Sequence, residues 1–130
     1  MSKYVKVATK LTDIDCLEAA LKDSGLPCER NTVAHGWGRA RQQADLVVRK
    51  KHLPQGCLGD LAFVWDERLG AFNLVMDELD GRRSGVQTVL SRLPQRHAYH
   101  RVMKQARSQG LAVQQVTEQG GVVQVVLRGA

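Results

Sequence analysis

The chain has 130 residues, 43% of them apolar and 25% charged, with a formal net charge of +6. These values describe a single folded domain over 1–130 with an ordinary core, and they exclude a disordered or fibrous chain. No apolar run approaches the roughly 20 residues of a membrane-spanning helix, and "MSKYVKVATK" lacks the apolar stretch of a secretory leader, so a cytosolic or organellar protein is expected.

Val5 and Val7 alternate with Lys6, the period of two that marks a half-buried first strand. "TDID" then offers Thr12 as a helix N-cap with Asp15 three residues later, at the spacing of a capping box. Ile14, Leu17, Ala20 and Leu21 make one helical stripe, and Gly25 and Pro27 end it. A short strand follows near 28–34, then a loop through "HGWGRAR". "ADLVVRK" reads as the next strand. "DLAFVW" and "AFNLVMD" read as a hairpin across "DERLG". Leu61, Phe63 and Trp65 share one face of it, as do Phe72, Leu74 and Met76, and these six side chains are the expected core.

Beyond the loop "LDGRRSG", Val86, Val89, Leu90 and Leu93 mark a short helix. Pro94 is expected to end it and open a second helix running to about Gln109, with Gly110 as its stop. "LAVQQVTEQGGVVQVVLR" closes as two strands around Gly120-Gly121. The order β-α-β-β-β-β-α-β-β predicts an α+β fold, a mainly antiparallel sheet with helices packed on one face. It argues against a doubly wound dinucleotide fold.

Charge is segregated along the chain. From Gly81 to Thr117 there are seven cations and no carboxylate, whereas Asp60–Asp80 holds six acids and Arg68 alone. Such a field can steer a charged partner. The three cysteines, Cys16, Cys28 and Cys57, show no C-x-x-C spacing, which points to reduced, packed thiols and no redox pair.

"ADLVVR", "LAFVWDERLGAFNLVMD", "QRHAYHRVMKQARSQG" and the closing "VQVVLR", with "LTDIDCLEAALKDSG" near the start, stand together in an order and spacing that cover nearly the whole chain. In this it resembles the family called hypothetical chloroplast reading frame thirty-five, domain of unknown function twelve fifty-seven, small proteins of cyanobacteria and red-algal plastids. Ala98-Tyr99-His100 carries the likeness most clearly. The family commonly has tyrosine where this chain has His97, which weakens any metal role for a His97–His100 pair. The resemblance implies a soluble protein of the bacterial cytoplasm or plastid stroma, and no activity that can be carried over.

A helical wheel puts Tyr99, Val102, Met103 and Ala106 on the buried stripe, His100 at its border, and His97, Arg101 and Lys104 towards solvent. Two histidines fall short of the three or four protein ligands that zinc requires, so no metal and no cofactor are expected. Tyr99 and His100 are the weak catalytic candidates, and they would need an orienting carboxylate in an apolar pocket. The expected role is instead that of a non-enzymatic accessory or adaptor module. Its contact residues would be Arg92, Arg96, His100, Arg101, Lys104 and Arg107 on the basic helix, with Arg39, Arg41, Lys50 and Lys51 from an earlier segment. An acidic protein is the favoured partner, since 5% aromatic residues make a poor base-stacking platform. RNA is the alternative, and the Asp60–Asp80 acids suggest head-to-tail association with a second copy.

Overall fold

The computed structural model describes residues 3–129. Its elements are β1 (Tyr4–Ala8), α1 (Ile14–Asp23), β2 (Glu29–His35), β3 (Arg41–Val48), β4 (Leu61–Asp66), β5 (Ala71–Asp77), α2 (Ser84–Ser108), β6 (Ala112–Gln119) and β7 (Val122–Arg128). Short 3-10 turns lie at Lys50–His52 and Asp80–Arg82. The predicted order and the α+β class are what the chain adopts.

Two local readings change. The N-cap of α1 is Asp13, not Thr12, and its side chain accepts the Cys16 amide at 3.1 Å. The helix predicted to break at Pro94 runs unbroken from Ser84 to Ser108 with the proline inside it. Proline removes a single helical hydrogen bond, the one to the Leu90 carbonyl. Val86, Leu93 and His97 are buried along the same helix and hold it through that gap. Both helices stop as their glycines predict. Gly25 and Gly110 adopt positive φ (74° and 69°), and the residue after each donates five residues back, Leu26 to Leu21 and Leu111 to Ala106. That pairing satisfies carbonyls the helix end would leave open.

Strands β1 to β5 form one antiparallel sheet in the order β1-β5-β4-β3-β2. The first strand therefore lies beside the fifth, Tyr4 opposite Asp77 and Ala8 opposite Asn73. One face packs the helices. Phe63, Leu46, Leu61, Phe72, Leu74 and Met76 meet Leu17, Leu21 and Leu93 there. Trp65 stands edge-on to Phe72, ring centroids 5.0 Å apart, at the end of this layer. The six side chains expected from the hairpin do lie in this layer.

The opposite face is buried as well, under small residues: Ala34, Ala44, Val47, Ala62 and Val75, with Tyr4 and Val64 beside them. No helix covers it. The sheet curls instead, so that Gly36 at the end of β2 reaches the Tyr4 ring of β1 on the far edge, where an added methyl would lie 2.7 Å from the ring. Side chains larger than alanine and valine would hold the two edges apart.

The pair β6–β7 is a separate two-stranded sheet against α2. Val123 and Val125 approach Tyr99 and Val102 of the helix, and Gln95 donates to the Gly121 carbonyl. This second apolar side of α2 accounts for the Tyr99–Val102 stripe. It faces the hairpin and not the main core.

The curl makes a firm prediction at Gly59, where a methyl would lie 2.9 Å from the Gly36 Cα and 3.0 Å from the His35 carbonyl. Gly59→Ala should lower the stability by about 1–3 kcal/mol in urea denaturation, because backbone yields poorly to overpacking. Gly129→Ala, with nothing within 4 Å of the added methyl, should leave it unchanged.

Candidate interaction surface

His97 is buried, at 4% exposure, and does not face solvent as the helical wheel placed it. Its Nε2 accepts the backbone amides of Thr12 at 3.3 Å and Asp13 at 3.2 Å. In a capping box the third helical residue accepts the N-cap amide. That residue is Cys16 here, a poor acceptor, and His97 of α2 takes over its part. To accept, the imidazole must be neutral with its proton on Nδ1. Burial, followed by the charge of Arg101, holds its pKa below the ordinary value.

His100 points to the other side of α2 and meets Asp23 Oδ2 at 2.7 Å, and Arg96 Nε reaches the same oxygen at 2.8 Å. Partial burial opposes ionisation of Asp23, but hydrogen bonds from His100 and Arg96 outweigh it and hold its carboxyl below the usual range. Arg96 also lies over the Tyr99 ring, 4.4 Å from its centroid. Further along, Lys104 Nζ binds Asp13 Oδ2 at 2.7 Å and Asp15 at 3.5 Å. Burial of Asp13 is again overcome, by Lys104 and the Cys16 amide, and its pKa falls to about 2. Three of the basic residues expected to receive a partner are thus held by the acids of α1. Arg92, Arg101 and Arg107 are exposed. Arg92 shares a cavity of about 670 Å³ with Asp23 and Glu118, so its surroundings are of mixed sign.

His100 has the orienting carboxylate that acid-base chemistry wants, but not the setting. Its cavity is only about 190 Å³ and is lined by Asp15, Lys104 and Arg107. Cys16 shares that cavity. Burial, with the charge of Asp13 next, pushes its thiol up, the reverse of an activated nucleophile. Cys28 and Cys57 are also free thiols, raised chiefly by burial. Among the described residues no group of three or more His, Cys, Asp or Glu side chains is arranged to hold a metal ion. No helix there is long and apolar enough to cross a membrane.

Of the six acids of Asp60–Asp80, Asp66, Glu67 and Glu78 are at least partly exposed, while the other three are taken up inside the fold. Asp60, Asp77 and Asp80 are buried at 6%, 1% and 3% exposure. Asp80 accepts the amides of Leu58 and Gly59 and pairs with Arg83 at 3.4 Å. Asp77 accepts the Leu79 amide through Oδ1, while its Oδ2 and the Tyr4 hydroxyl have no hydrogen-bond partner among the described residues. Asp60 accepts the His35 amide at 2.9 Å, the Lys50 amide at 2.7 Å and Arg49 Nη1 at 2.8 Å. Burial raises its pKa, but these three donors prevail and the carboxyl lies below its ordinary range.

Asp60 thereby ties together the two segments that carry the second basic group. The turn after β2, closed by the Gly36 amide on the Ala40 carbonyl, presents Arg39 and Arg41, and the 3-10 turn presents Lys50 and Lys51. All four are exposed, and none pairs with a carboxylate among the described residues. Arg41 donates to the carbonyls of Gly38 and Ala40, which stiffens the turn. Trp37 stands on the same turn at 56% exposure. Sequence reading passed over this residue. The signal was present, because a tryptophan between two glycines in a polar run has no apolar neighbours to be buried among.

The chain matches the family model described as "Protein of unknown function (DUF1257)" over residues 20–126. It is 24% identical over 131 residues to "Uncharacterized protein ycf35" of Pyropia yezoensis, covering 98% of this chain and 97% of the relative. To the protein of the same name from Guillardia theta it is 27% identical, with the same coverage. No solved structure matches it.

The neutral His97 sets a pH dependence. A base whose pKa is depressed by folding is protonated first in the unfolded chain, so its contribution is complete above about pH 6.5 and declines as pH falls below it. His97→Leu should cost about 1–3 kcal/mol through the two unpaired amides. It should also flatten the difference in urea midpoint between about pH 5 and about pH 7.5.

Proposed function

We propose, from the premise that the chain belongs to the DUF1257 family, that it is a non-enzymatic accessory module whose turn surface binds an acidic protein. The contact would be made by Arg39, Arg41, Lys50 and Lys51, with Trp37 as its anchor. The observation that supports this reading is the Asp60 link between the His35 and Lys50 amides, which draws together two turns that carry four exposed, carboxylate-free cations and the exposed Trp37. Tryptophan and arginine are the side chains that most often dominate binding energy at protein contacts. Basic side chains without internal partners keep their field available for a negative surface.

On α2 the reading narrows. Arg96, His100 and Lys104 would have to leave Asp23 and Asp13 before meeting a partner, so Arg92, Arg101 and Arg107 are the helix residues left to take part. RNA is the second reading, and one observation favours it. Trp37, followed on the same turn by Arg39 and Arg41, can stack on a base while the guanidinium groups meet phosphate.

Poly-glutamate and an oligouridylate of equal charge distinguish the two. For an acidic protein surface, poly-glutamate binds at least as tightly as the oligonucleotide, and reversal of Arg39, Arg41, Lys50 and Lys51 to glutamate reduces its binding by more than tenfold, about 1.4 kcal/mol. Reversal of Arg96 and Lys104 has a smaller effect. Tighter oligouridylate binding with quenching of Trp37 fluorescence would favour RNA, and binding of neither polymer would remove the surface from consideration.

A further inference from the structure

The helix-covered face of the sheet is not fully roofed. Beside the β1–α1 connection and the β4–β5 turn, a cavity of about 760 Å³ descends between α2 and the sheet to Phe63 and Leu74. Leu90 and Leu93 of α2 and Leu69 of the turn supply its other apolar walls, and Leu69 is 48% exposed at the mouth. The gap has a cause in the sequence. Where α2 passes over this part of the sheet, Pro94 and Ala98 are too short to fill the space. The volume is in the range of pockets that hold small organic ligands.

Its charges share one sign. Lys10 and Arg101 line the cavity together with the neutral His97, and no carboxylate does. On α2 the neighbouring basic residues Arg96, His100 and Lys104 each meet an acid of α1. Arg101 meets none among the described residues, and neither does Lys10. Two exposed cations beside an apolar shaft fit a molecule with an anionic head and an apolar tail. A charge-assisted bond would hold the head, and burial of methylenes the rest.

We infer that this cavity binds an amphipathic carboxylate, a fatty-acid-like anion with its tail on Phe63 and Leu74 and its head between Lys10 and Arg101. The inference shares Arg101 with the helix residues open to a partner, but it does not depend on the turn surface around Trp37, which belongs to other segments of the chain.

The test is a titration of the intact, methyl-labelled protein with octanoate, decanoate, laurate and decan-1-ol, followed by NMR. Shifts are expected at the methyls of Leu69, Leu74, Leu90 and Leu93. The dissociation constant should fall by up to about fourfold per added methylene. Decanoate should bind at least tenfold tighter than decan-1-ol. The double variant Lys10→Glu, Arg101→Glu alters exposed side chains. It should abolish the preference for acid over alcohol while retaining alcohol binding. Ala98→Trp should block both ligands. The inference is overturned if these methyls do not respond, if acid and alcohol bind equally, or if the preference survives charge reversal. It is also overturned if the same methyls shift with protein concentration alone, because a second copy of the chain would then fill the groove.

Discussion

The first turn of α1 is closed by a side chain 84 residues away, and much of the molecule is arranged around that contact. A helix start leaves amides that need acceptors. The Asp13 side chain accepts the Cys16 amide locally, and His97 of α2 accepts the amide of Asp13 and that of Thr12 just before it. Because the imidazole must reach into a buried junction, the two helices have one relative placement. Asp13 then falls beside Lys104, and Asp23 beside Arg96 and His100. These partly exposed ion pairs contribute little stability individually. Their clearer consequence lies in the surface charge, since they pair Arg96, His100 and Lys104 with carboxylates of the same chain.

Asp60 does for the loops what His97 does for the helices. A buried carboxylate is tolerated when donors surround it, and Asp60 collects a guanidinium and two backbone amides. In doing so it fixes the end of β2 against the segment after β3. The two basic turns are brought together by a negative charge that is itself out of sight. Sequence acidity and surface acidity are different quantities in this region.

The succession of strands and helices was legible because it depends on local signals: alternating valines, the glycine stops at Gly25 and Gly110, and the Gly120-Gly121 turn. Three features needed tertiary information. Pro94 is a strong local break, but burial on either side of it carries the helix through. His97 looked solvent-facing because the wheel was centred on Tyr99 and Val102, whose apolar partner is the β6–β7 hairpin. A helix with two apolar sides defeats a single-stripe reading. The pairing of Asp13, Asp15 and Asp23 with α2 was also out of reach, since charge runs along a chain do not reveal which opposite charges folding sets against them. The basic turn residues were legible as charges, whereas their isolation from carboxylates and the company of Trp37 were not.

The neighbourhood of β1 and β5 bears on how the chain is made. Translation at about 5–20 residues per second leaves β1, an edge strand of the sheet, for several seconds without its partner strand β5, because more than 60 residues separate the two. Val5 and Val7 spend that interval with an open ladder edge, the sort of surface on which nascent chains adhere to one another. Lys3, Lys6 and Lys10, spaced along and around the strand, place charges that such adhesion would have to bury.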